Sequence, residues 1–291
     1  MASRCAGGQA RLEASPCAVV AGGEIARMIA RAMAGVLVAA LIAALAYRAR
    51  SLSTSGAIAA TVVGAASVAA GWGWGALLIG YFVASTLLSR FGAAAKERRT
   101  ARVVEKGGAR DAVQVLANGG VFAGCAVVAV ASGHAMAAAV AVGALAAAAA
   151  DTWGTEIGTL AAHPPRSVLT LRPVPAGTSG GISLPGSLAT AAGALFVALF
   201  AAVVGVCSAF GLHPVGIIVA GVAGAMADSL LGATVQDRRW CATCSLATER
   251  AVHDCGTPTI RVGGWGWMNN DAVNLLATLV GGGVAAVLAT H

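Results

Sequence analysis

Charge is what this sequence most conspicuously lacks. Only 11% of its 291 residues are Asp, Glu, Lys or Arg, where a soluble domain carries about 25%. Disorder requires low hydrophobicity together with high charge. Here 58% of residues are hydrophobic and the mean hydropathy is +0.80, so a largely disordered chain is excluded. A water-soluble globule of this length could not hide so much apolar sequence, and it is excluded too. Aromatic residues are scarce, at 5%. No aromatic platform accompanies the net charge of +7, so nucleic acid is set aside as a partner. Loop arginines that fix topology and meet anionic headgroups account for the charge. Lysine is nearly missing: Lys96 and Lys106 are the only two, and neither follows the glycines of a G-x-x-x-x-G-K-[ST] string. Soluble P-loop ATPase chemistry is therefore excluded.

What the chain does have is long apolar blocks, each near the ~20 residues that cross a bilayer as a helix. They fall at 32–47, 55–71, 75–91, 112–131, 135–150, 186–211, 215–236 and 272–290. They are continuously apolar, without the ten-residue alternation of a membrane β-barrel. The 39 glycines and many alanines let helix backbones approach closely where lipid supplies no hydrophobic drive. The expected fold is an all-α polytopic membrane protein of about eight transmembrane helices, a single domain over 28–291. Residues 1–27 carry Arg4, Glu13 and Pro16 and no convincing signal peptide. They are expected to be a disordered tail, or an over-long gene start with Met28 or Met33 as initiator.

The connections alternate between tight turns, at 72–74, 132–134 and 212–214, and long polar segments, at 91–111, 151–185 and 237–271. Each tight turn closes a helical hairpin, so all three long loops are expected on one face. Lys96, Arg98, Arg99, Arg102, Lys106, Arg110, Arg166, Arg172, Arg238, Arg239, Arg250 and Arg261 lie in those loops. The positive-inside rule then makes that face cytoplasmic, in a bacterial inner membrane or its equivalent. Arg48 and Arg50 agree; Arg27 and Arg31 run against it.

Ionisable residues inside apolar spans are expensive and usually functional. Asp228 lies eight residues before Gln236, about 12 Å deep on a straight helix. Asp151 and Glu156 end another span, with Thr152 and Thr155 at helical spacing beside them. Carboxylates and hydroxyls so arranged suit Mg²⁺, a hard cation with oxygen ligands; solvated residues at a helix end would look alike. The run Gly177-Thr178-Ser179-Gly180-Gly181 can offer backbone N–H groups to phosphate at a helix start, or serve as a linker. Arg90, Lys96, Asn118 and Asn270 stand beside spans at the same expected depth. Together they suggest a polar, arginine-flanked cavity for an anionic substrate with a metal.

Cysteine usage is a separate matter. Cys241-x2-Cys244 is followed by His253-x-Cys255, four soft ligands that satisfy tetrahedral zinc and mark a zinc knuckle at 237–262. Disulfides are the rival assignment, disfavoured in a reducing compartment.

Six strings occur in order: Leu52-Ser53-Thr54-Ser55-Gly56-Ala57, Ser89-Arg90-Phe91-Gly92 with Lys96, Gln114–Gly120, Ala150–Glu156, Gly177–Gly181 and Asp228–Gln236. On these the chain resembles, over about residues 50–290, the phytyl-phosphate kinase and transmembrane protein 19 family. The resemblance implies phosphoryl transfer from a nucleoside triphosphate, CTP favoured, onto an isoprenoid monophosphate such as phytyl phosphate. The expected enzyme is thus a membrane kinase with a lipid phosphate and a nucleotide as partners. Asp151, Glu156 and Asp228 would hold Mg²⁺, and the glycine run with Arg90 or Lys96 would hold phosphate. Two alternatives are cytidylyl transfer onto a lipid phosphate and a transporter with Asp228 as coupling carboxylate.

Overall fold

The structure, a computed structural model, describes residues 16–101, 103–104 and 108–289, with side chains described from residue 30 onward. In chain order the helices are α1 (Pro16–Arg48), α2 (Thr54–Ala70), α3 (Trp72–Arg90), α4 (Ala93–Thr100), α5 (Ala112–Ser132), α6 (Ala135–Gly158), α7 (Leu184–Val203), α8 (Val206–Phe210), α9 (Pro214–Thr234) and α10 (Asn270–Ala289). Seven are long and apolar enough to cross a membrane: the Ala30–Arg48 part of α1, then α3, α5, α6, α7, α9 and α10. The apolar α2, at 17 residues, makes an eighth of about 25 Å. The chain is the all-α polytopic membrane protein expected.

Local chemistry sets the helix ends. Ser53 accepts a hydrogen bond from the Gly56 N–H to start α2. Asp111 and Gln114 form a capping box at α5. Ser183 caps α7 through the Gly186 N–H, with Pro185 in its first turn. Gly71 alone separates α2 from α3, and Gly133, left-handed at φ +69°, ends α5 before α6. Three boundaries differ from expectation. The helix of α1 already runs from Pro16, inside the stretch expected to be a tail, while residues 1–15 lie outside the described residues. The apolar block 186–211 is broken after Val203, where Gly205 (φ +80°) turns the chain into short α8. α6 continues eight residues past the end of its apolar block, so Asp151 and Glu156 are helical.

Two small sheets complete the fold. β1 (Arg166–Ser167) pairs antiparallel with β2 (Gly181–Ile182). β3 (Arg238–Cys241) lies between β4 (Leu246–Thr248) and β5 (Ile260–Gly263), antiparallel to both.

Alanine-rich α6 forms the centre. Every residue from Ala144 to Ala150 is buried, packed by α5, α7, α9 and α10. Glycines let the neighbours in: a Cβ on Gly224 of α9 would stand 2.3 Å from the Ala147 Cβ, and one on Gly143 2.4 Å from the Ala285 Cβ. Such contacts need small residues on both helices.

The three long loops gather at one end of this bundle. The Arg99 guanidinium, on α4 in the first loop, donates to the carbonyls of Thr159 (3.1 Å) and Ala161 (2.7 Å) in the second. The Glu249 N–H and the Thr248 hydroxyl in the third loop donate to the Val103 carbonyl in the first, at 2.9 and 3.2 Å. Arg102 and Lys106 of the first loop lie outside the described residues.

Candidate functional site at the loop end of the bundle

Asp151 on α6 and Asp228 on α9 face each other within hydrogen-bonding reach. Asp228 Oδ2 is buried and has no hydrogen-bond partner. Asp228 lies six residues before the end of α9, about 9 Å along the axis. Two ionised carboxylates so close in an apolar bundle repel each other unless a cation or proton is shared between them.

Glu156 does not join this pair, contrary to the three-carboxylate metal site expected. Five residues after Asp151 on a helix, it points about 140° away around the axis. There Lys96 Nζ lies 2.6 Å from Glu156 Oε2. The Ser89 hydroxyl bonds Glu156 Oε1, and Arg110 in turn donates to Ser89 Oγ at 3.0 Å. Lys96 also donates to the Leu88 carbonyl. Its charge is already engaged, so Lys96 and Glu156 form a strut tying α4 to α3 and α6.

The acid standing near Asp228 is instead Glu249, which bears electrostatically on its carboxylate. Glu249 follows β4 and accepts hydrogen bonds from the Ser179 hydroxyl and from Gln236 Nε2, the latter at 2.8 Å. It thus bridges the glycine run to the end of α9.

The glycine run is not a helix start. β2 intervenes, and Ser183 already caps α7. Gly177 packs on Thr100 of α4, while Gly180 lies flat against α9, where its Cβ would stand 2.5 Å from the Ala233 Cβ. Gly180 has φ +76°, so both its backbone geometry and this contact require glycine. Gly181 pairs in the β1–β2 ladder, and Thr178 Oγ1 is buried without a partner. The run therefore forms a folded edge beside Asp228.

Two other expected phosphate ligands lie elsewhere. The Arg90 guanidinium is tied to the α1–α2 turn, donating to the Ala49 carbonyl (2.8 Å) and Ser51 Oγ (2.9 Å). Asn270 is exposed in the first turn of α10. Asn118 donates to the Gln114 carbonyl on its own helix at 2.9 Å and lines a cavity.

That cavity, partly open, lies among α1, α2, α3 and α5. Its long wall is apolar, with Val38, Ile42, Leu52, Val63, Leu78 and Phe82. Toward the loop end of the bundle, where Leu52 pairs with Arg110, it is also lined by Tyr81, Arg110, Gln114, Asn118 and Thr152. Tyr81 and Thr152 stand within hydrogen-bonding reach, and both Arg110 and Asp151 bear on Tyr81 electrostatically. Thr152 is the residue after Asp151, so the polar end of an otherwise apolar cavity adjoins the acid pair.

Tyr81, Arg110 and Glu249 are the residues sequence reasoning did not select for the site. Tyr81, Ser85 and Ser89 recur every four residues along otherwise apolar α3, a polar stripe at helical spacing that could have revealed the first. Arg110 is one of many loop arginines, and Glu249 follows a hairpin whose docking is long-range; neither carries a local signal.

The zinc-ligand set does come together. One ligand atom each from Cys241, Cys244, His253 and Cys255 all lie within 4.8 Å of one another. Hydrogen bonds of Thr257 and His253 pull the Cys255 thiol down to about 6.

Comparison with known proteins places this architecture. The sequence profile of the family described as integral membrane protein DUF92 matches residues 37–282. The Arabidopsis thaliana protein named PGR is 30% identical over 273 residues, covering 86% of this chain and 93% of that protein. An uncharacterized membrane protein of Methanocaldococcus jannaschii is 28% identical over 261 residues, 89% and 94% of the two chains. One of Synechocystis is 29% identical over 224 residues, 75% and 74%. No solved structure matches the chain significantly. With most of its length covered by the family profile and by relatives matched nearly end to end, the chain belongs to the DUF92 family of integral membrane proteins.

Proposed function

We propose that this protein is a membrane kinase that transfers the terminal phosphate of a nucleoside triphosphate, CTP favoured, to an isoprenoid monophosphate such as phytyl phosphate. One observation carries the proposal: an apolar cavity whose polar end, at Tyr81, Arg110 and Thr152, adjoins the half-buried Asp151–Asp228 pair. A prenyl chain suits the apolar wall, and a monophosphate suits the polar end, where Arg110 supplies a fixed positive charge. The family resemblance of the six strings supports the same chemistry.

The acceptor phosphate is already an oxyanion at neutral pH, so it needs no general base. One of its oxygens attacks the γ-phosphorus, the bond from that phosphorus to the β-bridging oxygen breaks, and the nucleoside diphosphate leaves. Catalysis then rests on positioning and charge neutralisation. Asp151 and Asp228, with an unpartnered buried oxygen between helices, suit Mg²⁺, which would neutralise charge on the nucleotide phosphates. Arg110 orients the acceptor phosphate, and Tyr81 holds Thr152 and with it the start of the polar wall. The Ser179–Glu249–Gln236 bridge keeps the glycine run against α9 beside the nucleotide.

The loop end of the bundle faces the cytoplasm in this proposal. The turns at its opposite end, residues 71, 133–134 and 211–213, contain no Lys or Arg, whereas the loop end carries Arg48, Arg50, Arg98, Arg99 and the later loop arginines. Cytoplasmic nucleotide then reaches the site directly, and the lipid enters from the bilayer.

The test is a product assay on purified protein in lipid nanodiscs, with prenyl monophosphates and CTP labelled separately at the γ-phosphate and the cytidine. The expected product is a prenyl diphosphate carrying the γ-label alone. Cytidine label in the lipid would replace the proposal with cytidylyl transfer, and no transfer with any prenyl phosphate or nucleotide would refute both.

A further inference from the structure

The phosphoryl-transfer chemistry makes no use of the cluster on the β3–β4 hairpin. Cys241 ends β3, Cys244 lies in the turn that follows, and His253 and Cys255 come from the loop after β4. Cys241 Sγ is 3.6 Å from Cys255 Sγ, and His253 Nδ1 is 3.3 Å from the same sulfur. Tetrahedral zinc with Zn–S of about 2.3 Å and Zn–N of about 2.0 Å sets S···S edges of about 3.8 Å and S···N edges of about 3.5 Å. Two of the six edges stand close to these values, every ligand atom lies within 4.8 Å of the others, and all three cysteines are free. Cys241 and His253 are buried while Cys244 and Cys255 are exposed. Two ligands thus anchor the site from within and two close it from the solvent side.

A second observation is independent of these distances. The three strands have four, three and four residues, and sheets so small are marginal without a core or a cross-link. Here Trp240, Ile260 and Val262 point outward, at 37, 59 and 58% exposure, and Cys241 is the buried residue of β3. The backbone also wraps the cluster tightly, with Ser245 at φ +50° and Gly256 at φ +78°. Apolar packing contributes little to the shape of this hairpin, which leaves its docking on Val103 and Val104, the ion pairs of Asp237 with Arg239 and Arg261, and the cysteine cluster.

We propose that Cys241, Cys244, His253 and Cys255 bind one structural Zn²⁺, and that this ion holds the hairpin where Glu249 bridges the Gly177–Gly181 run and the end of α9. The connection is short. Thr248 and Glu249 close β4 and dock on the Val103 carbonyl, and Arg250 donates to the Val104 carbonyl at 2.9 Å. A few residues farther on, His253 returns the chain to the cluster. With four protein ligands the ion keeps no open position, so its role is to fold the hairpin. Its loss frees β4, and with it the carboxylate that holds Ser179 and Gln236.

The test uses full-length protein purified in detergent under reducing conditions without added zinc. Elemental analysis is expected to find about one zinc per chain. Cobalt exchanged into the stripped protein is expected to give thiolate charge-transfer and tetrahedral ligand-field bands. Cys244→Ser and Cys255→Ser should lose the metal and open 237–262 to protease, whereas His253→Cys, which keeps four soft ligands, should retain both metal and protection. Substoichiometric zinc together with no cobalt–thiolate band in the wild type would overturn the proposal. So would protease protection that is unchanged after the metal is removed.

Discussion

Removing the Lys96 ammonium tests whether Glu156 belongs to a structural strut or to the metal-binding acids. The two side chains are 10 and 20% exposed and lie 2.6 Å apart, with the Ser89 hydroxyl and Arg110 completing the network. Lys96→Met keeps most of the apolar stem while deleting the charge, leaving Glu156 buried with only hydroxyl support. Losing one partner of a buried pair costs about 3–5 kcal/mol. The residual exposure places this pair at the lower end, about 3 kcal/mol, or about a hundredfold in the folding equilibrium. Lys96→Met combined with Glu156→Gln removes both charges and leaves an amide oxygen that still accepts from Ser89, so the loss should shrink to about 1 kcal/mol. Thermal unfolding of the variants in one detergent, followed by size-exclusion recovery, reads the difference. The expected order is wild type, then the double variant close behind, then Lys96→Met well below. If Lys96→Met were as stable as the wild type, or the double variant as damaged as the single, Glu156 would not be the counter-charge of Lys96. If the double variant were stable yet devoid of the wild type's phosphotransferase activity, Glu156 would belong with the catalytic acids after all.

Two further paired comparisons follow from the same geometry. Arg110→Ala should raise the KM for a prenyl phosphate about 10–100-fold, the loss of a charge-assisted hydrogen bond to phosphate. Arg90→Ala, whose guanidinium is spent on the α1–α2 turn, should change it no more than about twofold; equal effects in steady-state kinetics would contradict the assignment. Gly224→Val should abolish recovery of folded protein from membranes, since its Cβ alone would stand 2.3 Å from the Ala147 Cβ and 2.8 Å from the Ala277 carbonyl, beyond the 1–3 kcal/mol or so of ordinary overpacking. Gly124→Ala on α5 faces open space, and its yield should match the wild type.

The number and order of the membrane helices were legible because span length and continuous apolarity are fixed by the bilayer. The gathering of the three long loops was legible because a tight turn leaves a helix pair no other arrangement. Asp151 and Asp228 could be paired from depth alone, each being costly in an apolar span. Glu156 misled because spacing along α6 sets depth without naming the partner. A lysine 60 residues earlier in the chain claims it, and long-range pairing leaves no local trace. Composition likewise makes the glycine run look like a helix start, whereas the chain pairs β2 with β1 before Ser183 opens α7. Glu249 could not be foreseen, because its place near Asp228 depends on how the β3–β4 hairpin docks onto Val103.

The most direct measurement of the central claim, that the acid pair and the polar end of the cavity form one phosphotransferase site, is γ-phosphate transfer by Asp228→Asn in nanodiscs. It should be measured beside binding of the same prenyl monophosphate by calorimetry. The amide keeps the shape of the side chain, so the variant should remain folded and bind the lipid phosphate as the wild type does. Transfer should fall by at least about a thousandfold, the scale of removing a group that organises transition-state charge. Near-normal transfer by Asp228→Asn, or lipid-phosphate binding lost along with turnover in a folded variant, would contradict the claim.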